Sequence, residues 1–222
     1  QFMLSLALVY ATTEARSQMD ILKSRASRYE NLIEIGNMMS GPRLQPFQQR
    51  LATNLDGIES MSLSSNSIAS GYFTELAIKH PDGTEERYPE LEFDTDTSFF
   101  STMHIHLAEG LQPADALKKY GTSFYINERY ARLKNVSSED FGQKTLQDIL
   151  PRVRVKYILA GMIENYPTAS LQKEINPQRI MVRESGDTYL GQIGKYVLIR
   201  LQPEKRKATL ERIERIWKEM FN

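Results

Sequence analysis

"RVRVKYILAGMIENYP" (Arg152–Pro167) is the stretch on which the fold reading turns. It is β-branched and aromatic, with Val153, Val155 and Tyr157 facing one way along an extended chain. Gly161 inside it permits a bend or bulge. Two further strand patterns follow, "QRIMVRE" and "KYVLIRLQP", the second ended by Pro203. Upstream, "TSFYINERYARLKNV" changes from a strand through Phe124 and Ile126 to a helix beginning near Asn127. Strands broken by single helices, without regular βαβ alternation, predict an α+β fold with mixed sheets and packed helices.

The remaining elements extend this pattern. "NLIEIGNMM" reads as a short strand ended by Ser40-Gly41-Pro42. Leu44, Phe47, Leu51 and Leu55 recur at spacings of three and four, the mark of an amphipathic helix, closed by Gly57. Ile58, Met61 and Leu63 suggest a strand. "YFTELAIKHPDGTEERYPELEF" reads as a hairpin turning at Pro81-Asp82-Gly83; Pro89 marks its second arm as an edge or interrupted strand. "DTDTSFFSTMHIHLAEG" predicts a short helix capped by Asp96 or Thr97 and then a brief strand. "LQPADALKKYG" is a helical turn ended by Gly121. Near the C-terminal end, Leu210, Ile213, Trp217 and Met220 are three, four and three apart, with Ile216 widening the stripe: a surface helix with one buried face.

The 222 residues suffice for one large domain or two small ones with a real core. Lys plus Arg equals Asp plus Glu at 28 each, so no long-range field attracts nucleic acid. The chain has no Cys, which excludes disulfides, thiolate zinc sites and Cys nucleophiles. No apolar run reaches the roughly 20 residues needed to span a bilayer. The run Phe2–Ala11 is about half that, and passes without Gly or Pro into a polar stretch. One helix from Phe2 to Tyr29 would be about 40 Å long at 1.5 Å per residue. The pattern alone fits two readings, a hydrophobic N-terminal core helix or a stalk whose first turns look like the end of a membrane helix emerging into water.

Catalytic chemistry is thinly represented. His104 and His106, two apart on a strand, would project from one face as metal ligands can, with Glu109 or His80 as a third. No accompanying ligand spacing supports the site, and two partly exposed strand histidines is the better reading. Glu92, Asp94 and Asp96 lack the glycine that a calcium loop requires, so a helix cap is preferred. "GQIGK" (Gly191–Lys195) leads into a strand where a phosphate loop must lead into a helix. No GxSxG occurs. The chain is therefore read as non-enzymatic, with no catalytic, cofactor or metal residues and no cofactor.

Several stretches in order resemble one family. "FYINERYARLKNVSSEDFGQKT" (Phe124–Thr145), "YILAGMIENYPTASLQKEINPQRIMV" (Tyr157–Val182) and "YVLIRLQPEKRKATLERIERIWKEMF" (Tyr196–Phe221) are similar to blocks of the extracytoplasmic domains of MacB/FtsX-type ABC transporter permeases. "FDTDTSFFSTMHIHLAEG" (Phe93–Gly110) is similar to a segment upstream of them. The opening Gln1–Arg25 resembles the end of a membrane helix and its periplasmic extension in Bacteroidetes-type members. The sequence departs from the family at Asn165-Tyr166, where Asp-Phe is usual, and at Gln172-Lys173, where a His is common. It also stops where the family adds a short strand, which would leave one sheet edge unpaired.

The resemblance implies a membrane-helix stub and stalk over 1–29 and a periplasmic core over 30–222. Within the core it implies a porter-like α/β subdomain from about 30–70 and 186–222, with 71–185 as an inserted subdomain. It implies a domain in the periplasm, held at the cell inner membrane, that couples ATP-driven helix motion to export, lipoprotein handling or signalling. Partners would be a cytoplasmic ATP-binding subunit, a second permease copy and a periplasmic protein or lipoprotein, with no nucleic acid. The stalk and the last helix would be the levers, with Arg16 and Asp20 on the first and Leu210, Ile213 and Trp217 on the second as the coupling residues. The alternative is the extracytoplasmic sensor domain of a receptor kinase, which should hold a closed ligand pocket with convergent polar groups.

Overall fold

The architecture was taken from a computed structural model, which describes residues 29–36, 44–54, 56–68, 73–150, 155–166 and 175–221. The expected stalk helix with Arg16 and Asp20, Leu55, Val153 and Gln172-Lys173 lie outside the described residues. Among the described residues nine strands form one mixed sheet: β1 (Leu32–Gly36), β2 (Ile58–Ser64), β3 (Phe73–Lys79), β4 (Glu85–Asp96), β5 (Leu107–Gly110), β6 (Ser123–Asn127), β7 (Ile158–Ile163), β8 (Gln178–Arg183) and β9 (Tyr196–Leu201). Their order is β1-β9-β2-β4-β8-β6-β7-β5, with β3 paired to β4 off that path. Among the described residues the α-helices are α1 (Leu44–Asn54), α2 (Phe99–Met103), α3 (Pro113–Tyr120), α4 (Glu128–Lys134), α5 (Leu146–Ile149), α6 (Thr188–Ile193) and α7 (Arg206–Phe221).

The decisive stretch forms β7, but only from Ile158. Val155 stands before it and is 39% exposed, so the expected Val153–Val155–Tyr157 face is not a strand face at Val155. The bulge falls where the glycine allows it. Phe124 pairs with Leu159 and Tyr125 with Gly161, leaving Ala160 as the extra residue. β6 and β8 flank each other antiparallel, and β4 and β8 run parallel in register from Leu91↔Gln178 to Asp96↔Arg183.

β4 changes partners along its length, which accounts for Pro89. From Glu85 to Leu91 it pairs with β3 as a two-stranded ribbon; from Leu91 onward it also pairs with β8. Pro89 lies in the ribbon, where its missing N–H costs no bond to β8. The turn between β3 and β4 is closed by Asp82, whose Oδ1 accepts from the backbone N–H of Thr84 at 2.9 Å and from its hydroxyl at 2.6 Å. Gly83 takes φ +84° there.

Three apolar clusters pack the sheet. Phe47, Leu51, Leu63, Leu190, Val197, Ile199, Leu201, Ile213 and Ile216 form one, beneath α1 and α7. A second, including Leu76, Ile126, Tyr130, Leu146, Ile149 and Met181, lies beneath α4 and α5. The third, around Leu91, Phe93, Phe99, Phe100, Tyr125, Ile180 and Val182, covers the other face under α2 and α3. The first cluster is thus drawn from both ends of the described chain, and the second from its middle. β1 joins the two ends directly, pairing with β9 from Leu32↔Arg200 to Gly36↔Tyr196.

Candidate functional site

The three described coupling candidates lie in one layer on α7. Ile213 is 3% exposed, and Leu210 and Trp217 are partly buried against the same cluster as Phe47 and Leu51. The Phe47 and Trp217 rings meet edge to face at 5.3 Å, and Trp217 stacks on Phe221 at 4.1 Å. Arg50 on α1 is ion-paired with Glu219 on α7. The buried face is centred differently from the sequence stripe: Thr209, Ile213 and Ile216 are its buried residues, and Leu210 lies at its margin. Thr209 was invisible to an apolar count; its hydroxyl donates to the Asp56 carbonyl at 3.4 Å.

Between the α1–α7 layer and the α4–α5 layer the same face of the sheet carries charge. Alternation on β4 sends Leu91 and Phe93 into the third cluster, and Glu90, Glu92, Asp94 and Asp96 to the opposite face. On β8, Ile180 and Val182 go with the former, and Arg179 and Arg183 with the latter. Arg179 Nε donates to Glu90 Oε1 and its Nη2 to Glu92 Oε2, both at 2.7 Å. Arg183 Nε donates to Asp94 Oδ1 at 2.8 Å, and its guanidinium lies 4.4 Å over the Tyr189 ring and 5.2 Å over Tyr157. A parallel strand pair is ordinarily apolar on both faces; here one face is a charged seam.

The seam shifts its own titrations. Burial raises the Glu92 carboxyl above its ordinary value, only partly opposed by Arg179. Burial opposes the charge of Arg179, yet Glu90 and Glu92 outweigh it and hold the guanidinium above its usual range. Asp96 is also raised by burial, against four donors: Leu63 N at 2.9 Å, Ser62 Oγ at 2.8 Å, Gln48 Nε2 at 3.2 Å and Ser98 N at 3.0 Å. Asp96 therefore ties β2, α1 and the start of α2 together. The N-cap of α2 is Ser98, without a side-chain cap bond, so the expected Asp96 or Thr97 cap is corrected to a carboxylate that holds the residue before the helix.

Where the seam ends, an open cleft of about 610 Å³ lies between β3 and the α4–α5 side, with Glu90, Glu92 and Arg179 in its lining. The enclosed space in the core beside Phe93 and Tyr166 is about 10 Å³, room for roughly one water.

The histidines are not arranged as the strand reading supposed. His104 is the left-handed C-cap of α2 at φ 51°, not a strand residue, with Nε2 3.6 Å from Glu59 Oε1. His106 precedes β5. Among the described residues no three His, Asp or Glu side chains gather as a metal site would. Asn165, a point of departure from the family, fastens the start of α4. Its Nδ2 donates to Glu128 Oε2 at 2.6 Å, and its Oδ1 accepts from Arg129 N at 3.0 Å. Tyr166 donates its hydroxyl to the Met103 carbonyl at 3.2 Å.

No family model matches the chain, and no curated relative matches it. Its fold is similar to the extracellular domain of the noncanonical ABC-type transporter YknZ from Gram-positive bacteria, with a TM-score of 0.50, 11% identity, and coverage of 85% of this chain and 91% of that one. It is similar also to the periplasmic region of MacB from Actinobacillus actinomycetemcomitans, with a TM-score of 0.54, 8% identity, and coverage of 85% and 83%. At these identities the likeness is one of fold. No described helix is long and apolar enough to cross a membrane.

Proposed function

We propose that this chain is the extracytoplasmic domain of a MacB/FtsX-type ABC transporter permease, in the Bacteroidetes style of its opening stretch, and that it relays motion without catalysing a reaction. The observation that carries this reading is the shared fold over 85% of the chain with two transporter domains that lie outside the membrane. The ordered run of family-like stretches from Phe93 to Phe221 supports it independently. Power would come from a cytoplasmic ATP-binding subunit acting through membrane helices, with a second permease copy and a periplasmic protein or lipoprotein as further partners.

The mechanics suit a relay. β1, the first described strand, is paired along its length with β9, which runs through Pro203–Lys205 into α7. α7 is in turn locked to α1 by Phe47, Trp217 and Phe221. Displacement imposed near either end of the described chain reaches the same packed layer, because a close-packed interior transmits strain.

The Cys-free sequence allows a direct test. Val155→Cys, at a 39% exposed position, in the full-length protein should react with a membrane-impermeant maleimide in intact spheroplasts. Its rate should change when ATP turnover is trapped. Labelling only after permeabilisation would overturn the reading.

A further inference from the structure

We draw no further inference here: the strongest candidate, the open cleft of about 610 Å³ between β3 and the α4–α5 side, sets Lys79, Lys134 and Lys144 beside Glu85, Glu92 and Asp148 and so selects no charge of ligand, and nothing in the structure shows what covers it.

Discussion

Arg179 and Glu90 are joined across 89 residues of sequence by a 2.7 Å bond between Nε and Oε1, with both side chains almost wholly buried. That bond, with its neighbour to Glu92, fastens the parallel pair β4–β8 at the point where the β3–β4 ribbon leaves the sheet. Buried ion pairs are costly to break from one side, because the remaining charge keeps its desolvation penalty. Arg179→Met should therefore lower stability by about 3–5 kcal/mol in urea unfolding. Adding Glu90→Met and Glu92→Met should recover most of the loss. A triple variant no more stable than the single one would show that the seam does not work as a charge-balanced unit.

Glu92 makes the same seam sensitive to pH. Its folded pKa lies above the ordinary 4.5, burial being the larger cause and Arg179 the smaller, opposing one. The folded state therefore holds this proton more tightly than the unfolded state. The resulting stabilisation is full below 4.5 and is lost as pH rises through the folded value. Wild type should lose stability relative to Glu92→Gln as pH is raised from about 4 to 7, measured by urea midpoints at each pH. A difference that grows in favour of wild type instead would mean that Arg179 outweighs burial.

β5 is held against β7 by two glycines in contact. A Cβ on Gly110, at φ +111°, would meet the Ala160 carbonyl and Gly161 Cα, each at 2.4 Å; one on Gly161 would meet the Glu109 carbonyl at 2.4 Å. Both obstacles are backbone and cannot swing away. Gly110→Ala should cost more than about 1 kcal/mol, since strain and clash add. Hydrogen exchange should localise the loss at Leu107–Leu111, where Leu111 N donates to Ala160 O. Uniform loss across the sheet would contradict so local a cause.

What could be read from the sequence follows the range of each interaction. Phe47 and Leu51, the Pro81-Asp82-Gly83 turn, Asn127 at the start of α4 and the bulge at Gly161 are set by neighbours within a few residues, and local pattern carries them. Asn127 shows where that stops. Its Oδ1 accepts from Tyr130 N as a cap, which is local, and also from Gln178 N, which is not. The six-residue α6 escaped notice because Gly186, Gly191 and Gly194 hide the Asp187 cap, whose Oδ1 accepts from Leu190 N. Glu92 reads with Asp94 and Asp96 as a helix-cap cluster, and nothing local singles out Glu90 or Arg179, because their burial is licensed only by partners nearly ninety residues apart. His104 looked like a strand residue because its left-handed conformation is imposed by the end of α2, where its N–H meets the Phe100 and Ser101 carbonyls.

The α1–α7 layer, finally, reports on itself through the only tryptophan of the chain. Ile213 is 3% exposed at the centre of the α7 face, while Trp217 sits partly buried between Phe47 and Phe221. Ile213→Ala removes buried methyls and leaves a cavity, so it should cost about 2–5 kcal/mol in chemical unfolding. Trp217→Ala removes a larger side chain that is less enclosed, and should cost no more than about 3 kcal/mol. In Ile213→Ala the Trp217 emission should shift to longer wavelength already in the folded state, because α7 loosens against Phe47. Arg50→Ala, which removes the half-exposed partner of Glu219, should change stability by less than about 1 kcal/mol and leave the emission in place. If Arg50→Ala moved the emission as far as Ile213→Ala does, the layer would be held by its surface charges and not by the packed face beneath them.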